Sequence, residues 1–225
     1  MTEDLSHWTP RPRPERTVQE GRFVRIEPLD PARHLEGLFR ETAIADTEAD
    51  RRFTWLFETP PASRDVLGQW MEKVAVSPDP LFFALIDKAS GRVAGRQSLM
   101  RIDPNFGVIE IGNIYWGPTI ARKPAATEAL YLAARHVFDD LGYRRFEWKC
   151  NNLNEPSKKA ALRFGFQHEG VFRQHMVVKG LNRDTAWFAM IDKDWPALRA
   201  GYEAWLAPEN FDANGQQKRR LEDCR

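Results

Sequence analysis

The sequence predicts an α/β protein built on one mixed sheet of about seven strands flanked by helices. Three observations predict it. Apolar residues recur with the strand period from Leu81 to Trp116 and with the helix period from Ala125 to Phe138. The elements follow in the order β-α-α-β-β-β-α-β-α-β-β, with the antiparallel strands first. A helix joins the strand ending at Trp116 to the next one, Arg144 to Cys150, so those two strands run parallel.

Each element has its own local cause. Residues 1–20 carry Pro10, Pro12 and Pro14 among arginines and read as an arm that lies on the surface or is disordered. Arg22 to Glu27 alternates charged and apolar residues, a first strand. Asp30 as N-cap and Pro31 at the first helical position open a helix with Leu35, Leu38 and Phe39 on one face. Asp46 to Phe57 has no dominant period and ends in the aromatic cluster Phe53, Trp55, Phe57. Ser63 caps a second helix through Val66, Leu67 and Trp70. Leu81 to Ile86, Arg92 to Ile102 and Gly107 to Trp116 form a meander, joined by turns at Asp87 to Gly91 and Asp103-Pro104-Asn105. The long helix carries Leu130, Ala133, Ala134, Val137 and Phe138, and Gly142 ends it. After the parallel strand, Pro156 starts a helix that ends near Gly165. Gln167 to Val178 and Arg183 to Ile191 form a hairpin around Lys179 to Asn182. Trp195-Pro196 begins a last helix to about Leu206. The organisation is an arm (1–20), one domain (21–208) and a polar tail (209–225).

Composition bounds the function. At 225 residues and 42% hydrophobic, the chain supports one ordinary core. The formal net charge of +1 removes any global electrostatic case for nucleic acid or an anionic membrane, despite Lys218-Arg219-Arg220 in the tail. Two cysteines, Cys150 and Cys224, make neither a disulfide framework nor a metal-ligand cluster. They favour a reducing, cytoplasmic compartment. The start lacks the apolar run of a signal peptide, and no stretch is long enough to span a bilayer. Most of the eight tryptophans read as packing.

Residues 107–166 carry the chemistry. A strand that feeds a loop and a helix N-terminus, here Trp116 to Pro124, is a means of gripping a phosphate-bearing cofactor. The polar turn Asn151 to Ser157 lies at the end of the next strand, where open α/β sheets place ligands.

The element order, with Ala126-Thr127-Glu128-Ala129-Leu130 opening the central helix and Asn154-Glu-Pro-Ser157 ahead of Phe164-Gly165-Phe166, resembles the GNAT superfamily of acyl-CoA-dependent N-acetyltransferases, most of all its RimJ/RimL-type branch. The resemblance covers about residues 20 to 195. It implies acetyl-CoA as co-substrate, no metal, an amine acceptor such as a protein N-terminus or a small amine, and direct attack in a ternary complex. The cofactor would touch Ile114, Tyr115 and Trp116 through backbone N–H groups, Arg122, Lys123, Ala125, Ala126 and Thr127 at the phosphates, and Asn154 and Ser157 along the arm. One departure stands out. Where the family loop carries glycines, this chain reads Ala121-Arg122-Lys123-Pro124-Ala125-Ala126. Pro124 has no N–H to offer, although it suits a first helical turn, and Arg122 and Lys123 could supply charge instead.

The transfer needs a proton acceptor, a polarised thioester carbonyl and a proton for the leaving thiolate. Many relatives protonate the thiolate with a Tyr four residues before the Gly of the Gly-Phe pair. That position is Ala161, so Ser157 is the replacement, beside Asn154, which also suits a plain helix cap. Glu110 is the first candidate base. Strict alternation would place it with Gly112, Ile114 and Trp116 among apolar neighbours, which would raise its pKa. His175, Glu147 and a water chain are alternatives, and His136 reads as structural. The acceptor pocket would take Trp55, Phe57 and Trp187 as an aromatic wall, with Arg51, Arg52 or Arg173 for an acidic group. A binding module without turnover is the competing function, since both the loop glycines and the Tyr are missing. Oligomeric state is open, with a homodimer as the base-rate guess.

Overall fold

The computed structural model of the chain describes residues 4–44 and 51–225. Eight strands form one sheet in the order β1-β2-β3-β4-β5-β6-β8-β7. In chain order these are β1 (Gln19–Glu20), β2 (Val24–Pro28), β3 (Leu81–Asp87), β4 (Arg92–Asp103), β5 (Val108–Trp116), β6 (Arg145–Asn151), β7 (Gln167–Val178) and β8 (Leu181–Ile191). The helices are α1 (Pro31–Thr42), α2 (Arg64–Ala75), α3 (Pro124–Arg135), α4 (Glu155–Phe164) and α5 (Trp195–Leu206). The β5–β6 pair is parallel and the other pairs are antiparallel, the mixed sheet that the sequence predicts.

The helix starts follow their sequences. The Asp30 carboxylate accepts the Ala32 N–H at 2.9 Å, and the Ser63 hydroxyl accepts the Val66 N–H at 3.2 Å. Gly165 ends α4 at φ +94°, the left-handed conformation that glycine adopts without a Cβ penalty. α3 is buried almost all round, because it packs on the sheet and also against α5. Its last turn widens into a π-helical turn at His136–Asp140, where the sequence predicts an unbroken helix to Phe138. Glu128 has a structural task. It is buried, and its carboxylate accepts the N–H groups of Arg22, Phe23 and Val24 at 2.6–2.9 Å. That clamp explains why the first long strand starts at Val24 rather than Arg22.

The core divides across the sheet. The larger cluster joins the inner faces of β2 to β6 and β8 to α3, α4 and α5. The smaller one joins α1, α2, Phe53 and Tyr115 on the opposite face. Burying a Phe146 or a Leu130 side chain stabilises the fold by about 1.5–3 kcal/mol each before entropy is counted.

The arm runs along the surface. Trp8 Nε1 donates to the Asn105 carbonyl, Arg11 to that of Gly142, and Arg16 to that of Ser77. The tail also packs back. Leu221 is fully buried against α5, and the Asn210 amide donates to the Trp205 carbonyl. The last hairpin turns at Lys179-Gly180, both at positive φ, so β8 begins at Leu181, two residues before the sequence expectation. Among the described residues no helix is long and apolar enough to cross a membrane, and no cluster of His, Cys, Asp and Glu could hold a metal ion.

Candidate active site

The site begins where β5 and β6 separate. They pair from Val108↔Arg145 to Ile111↔Trp148 and no further, although β5 continues to Trp116 and β6 to Asn151. A bulge bends β5 at that point. Ser98 faces Gly112 and Arg96 faces Tyr115, so Gln97 opposes both Asn113 and Ile114. Asn113 sits at φ +50°, a conformation that its short polar side chain tolerates. The Gly112-Asn113 pair was the one local signal for this break in strict alternation.

The bulge is held from β4. Arg96 Nη1 donates to the Asn113 carbonyl at 2.7 Å, and Asn113 Nδ2 donates to Ser98 Oγ at 3.0 Å. In a trans peptide the N–H points opposite to the C=O. The Ile114 N–H is therefore directed away from the Arg96 guanidinium, and Ile114 borders the gap. Arg96 is buried, pairs with Glu58, and lies 4.7 Å from the Trp70 ring. Burial pushes its pKa down to about 9, so it stays a cation at neutral pH.

The gap is a cleft of about 860 Å³. Glu110, Gly112, Ile114 and Trp116 line it from β5, and Trp148, Lys149 and Cys150 from β6. Asn154 and Ser157 line it from the start of α4. Asn154 is the helix cap, its side-chain oxygen accepting the Ser157 N–H at 3.2 Å. Ser157 Oγ accepts from Trp148 Nε1 at 3.0 Å, which leaves the hydroxyl proton to be donated. Burial raises the Cys150 thiol pKa, and the Ser157 hydroxyl beside it works the other way. Ala161 is fully buried, so no hydroxyl occupies the place of the family's Tyr.

Glu110 has different neighbours from those expected. It is 3% exposed, with Arg101 Nη1 at 2.6 Å and Lys149 Nζ at 2.9 Å. Lys149 also pairs with Glu147 at 2.6 Å, and Arg145 continues the chain through Glu147 to Glu169. The parallel register sets Glu110 directly beside Glu147, and Lys149 separates the two carboxylates. A buried carboxylate needs such partners, so apolar surroundings were the wrong expectation. Sequence reasoning missed Arg96, Arg101, Lys149 and Arg183. No motif marks them, because strand register and strand order bring them together.

The remaining candidates divide. Trp55, Phe57, Arg51 and Arg52 line the cleft. Residues 45–50 of the intervening segment lie outside the described residues. Trp187 does not line the cleft. It stacks on Phe172 at 4.4 Å and under Lys149 Nζ at 3.8 Å, a support for the lysine rather than a wall. Arg173 is exposed on β7 and is not part of the cleft. His175 lines it and contacts Thr185 Oγ1 at 3.0 Å. His136 pairs with Asp140 at 2.8 Å, away from the cleft. The Tyr115 ring points to the opposite face, where its hydroxyl donates to the Glu41 carbonyl.

The loop before α3 closes the other end. The Glu41 carboxylate accepts from the Thr119 N–H and hydroxyl, both at 2.8 Å. Gly117 passes so near that a Cβ would meet Glu41 at 2.3 Å. Arg122 lies at φ +61° and lines the cleft, and Lys123 is the N-cap of α3 without a side-chain cap bond. Ala125 and Ala126 are buried, and the Thr127 hydroxyl accepts from Arg163 at 3.0 Å.

Known proteins share this fold. Residues 24–167 match the family model described as the acetyltransferase (GNAT) domain. A crystal structure of a GCN5-related N-acetyltransferase from Brucella melitensis is 63% identical, covers 98% of this chain and 99% of its own, and superposes with a TM-score of 0.95. A GNAT-family acetyltransferase structure from Chromobacterium violaceum ATCC 12472 is 36% identical over 88% of this chain and 97% of its own, with a TM-score of 0.79. YdaF of Bacillus subtilis (strain 168), whose name describes a ribosomal N-acetyltransferase, is 27% identical over 106 residues, 47% of this chain and 57% of YdaF. On the matched domain and the shared fold, the chain belongs to the GNAT family of acetyltransferases.

Proposed function

We propose that the chain transfers an acetyl group from acetyl-CoA to a primary amine, a protein N-terminus or a small amine, by direct attack in a ternary complex. The observation that carries this reading is the gap between β5 and β6 with the Asn113 bulge at its edge. The pantetheine arm fits such a gap as an extended segment between two unpaired strand edges. The pyrophosphate belongs at the N-terminus of α3, where the helix dipole and Arg122 favour negative charge. Pro124 takes the first helical position, so the side chains of Arg122 and Lys123 replace an amide lost from the cradle.

In the reaction the Ile114 N–H receives the charge that develops on the thioester oxygen. The amine loses its proton to Glu110, directly or through a water. The leaving thiolate takes a hydrogen bond from the Ser157 hydroxyl, which its bond from Trp148 holds in place. Trp55 and Phe57 flank the acceptor. No covalent enzyme intermediate is needed.

The buried Ala161 favours a second reading, a module that binds acyl-CoA without turnover. Calorimetric titration of acetyl-CoA, followed by thiol release with a panel of amines, separates the two. Micromolar binding weakened by Asn154→Ala, with amine-dependent release of CoA, is the expected result. Binding without any release would favour the module, and no binding at millimolar cofactor would sink both.

A further inference from the structure

Arg183 stands near the start of β8 and is 7% exposed. Its Nε donates to Thr185 Oγ1 at 3.2 Å, and its guanidinium lies 5.2 Å from the centre of the Phe57 ring. No carboxylate among the described residues pairs with it. The neighbouring cations differ in this respect. Arg96 has Glu58, Arg101 has Glu110, and Lys149 has Glu110 and Glu147. A guanidinium carries five N–H donors in a planar fork. Among the described residues one of them finds a hydrogen-bond acceptor, and Arg183 lines the cleft.

Burying a cation without a counter-charge is costly. Burial lowers the Arg183 pKa, while Cys150 and Glu110 raise it and Arg101 lowers it further. The chain as a whole is nearly neutral at +1. Arg101, Lys149 and Arg183 nevertheless line this cleft together, beside Glu110 as the one carboxylate among its described lining residues.

We propose that the Arg183 guanidinium receives an anionic group of the acceptor, a carboxylate or a phosphate, held on the same molecule as the reacting amine. The inference rests on the acetyl-transfer reading and names its substrate class. Arg183 lies against Phe57 on the acceptor side, whereas the CoA phosphates belong with Arg122 at the start of α3. The fork meets a carboxylate or phosphate with two parallel hydrogen bonds. A neutral amine would leave those donors unpaired, and a site built for a polar group discriminates against a ligand that lacks it.

The test uses inorganic phosphate and acetate as probes on the full chain saturated with CoA, so that the cofactor phosphate site is already filled. Calorimetry reads their binding to the wild type, Arg183→Gln and Arg183→Lys. Arg183→Gln can keep the Thr185 hydrogen bond but lacks the charge. It is expected to weaken phosphate or acetate by about ten-fold or more, Arg183→Lys by less, and neither should alter CoA affinity. The stronger of the two anions identifies the group. Matched acceptors then follow: peptides with free and amidated C-termini, and ethanolamine phosphate with ethanolamine. The anionic member should have the lower KM in the wild type, and the gap should close in Arg183→Gln. Equal anion affinity in wild type and Arg183→Gln, or a loss of CoA affinity in Arg183→Gln, would overturn the proposal. If the wild type fails to bind CoA, the acetyl-transfer reading falls separately, and the same titrations on the free protein still report on Arg183.

Discussion

Arg96 donates through Nη1 to the carbonyl oxygen of Asn113 at 2.7 Å, and so fixes the peptide that joins Asn113 to Ile114 at the edge of the cleft. A buried guanidinium on the carbonyl side also polarises that peptide, which makes its N–H a better donor to a developing oxyanion. Arg96→Lys keeps a cation beside Glu58 but loses the fork and the ring contacts. The expected outcome is a fall in kcat of about ten-fold or more with acetyl-CoA affinity little changed. Steady-state kinetics beside calorimetry checks it. A loss of cofactor binding in parallel with kcat would count against the positioning role.

Glu110→Gln removes the carboxylate that we propose takes the amine proton, while keeping the shape. It should lower kcat by about 10²-fold or more and leave acetyl-CoA binding intact. The pH profile of kcat/KM carries the second readout, since the limb that belongs to the base should vanish. An unchanged rate would move the role to a water chain or to His175.

His34 provides a pH-dependent stability term with a defined sign. Its Nδ1 accepts the Asp30 N–H at 3.0 Å and its Nε2 lies 3.2 Å from Glu27, an arrangement for the neutral ring. Burial lowers its pKa from 6.5, although Glu27 and Asp30 act to raise it and Arg33 to lower it. The unfolded chain therefore binds the proton more readily. This contribution is present above pH 6.5 and is lost as pH falls from there through the folded-state pKa. Thermal unfolding of wild type and His34→Gln across pH 7.5 to about 5 should show the wild type losing more Tm on acidification. Parallel curves would remove His34 as the cause.

The two cysteines should react in order of exposure. Cys224 is half-buried near the C-terminus, whereas Cys150 is 5% exposed, with a thiol pKa raised by burial. Alkylation followed by mass spectrometry should find Cys224 modified first and Cys150 slower by about ten-fold or more. Acetyl-CoA in the cleft should slow Cys150 further and leave Cys224 unaffected. Equal protection of both would place the cofactor elsewhere.

Local chemistry carried much of the fold in advance. Asp30, Ser63, Pro124 and Gly165 mark helix ends through capping and backbone preference, effects confined to a few neighbouring residues. The alternation of β3 to β5 and the helix between β5 and β6 dictate the meander and its parallel crossover. Asn154 and Ser157 were legible because a cap motif is local. Misjudged features were those that depend on distant partners. Glu110 reads as a lone carboxylate in an apolar strand until Arg101 arrives from β4 and Lys149 from β6. Trp187 reads as a pocket wall until Lys149 and Phe172 cover its ring.

The sequence by itself determined the class of fold and the family, because period, capping and order of elements are properties of neighbours along the chain. The tertiary structure alone decided the bulge at Asn113, the cations around Glu110 and the placement of the Arg183 fork, which pairs with no carboxylate among the described residues. These depend on strand register and on which strands lie side by side, and register is set by packing between residues far apart in sequence.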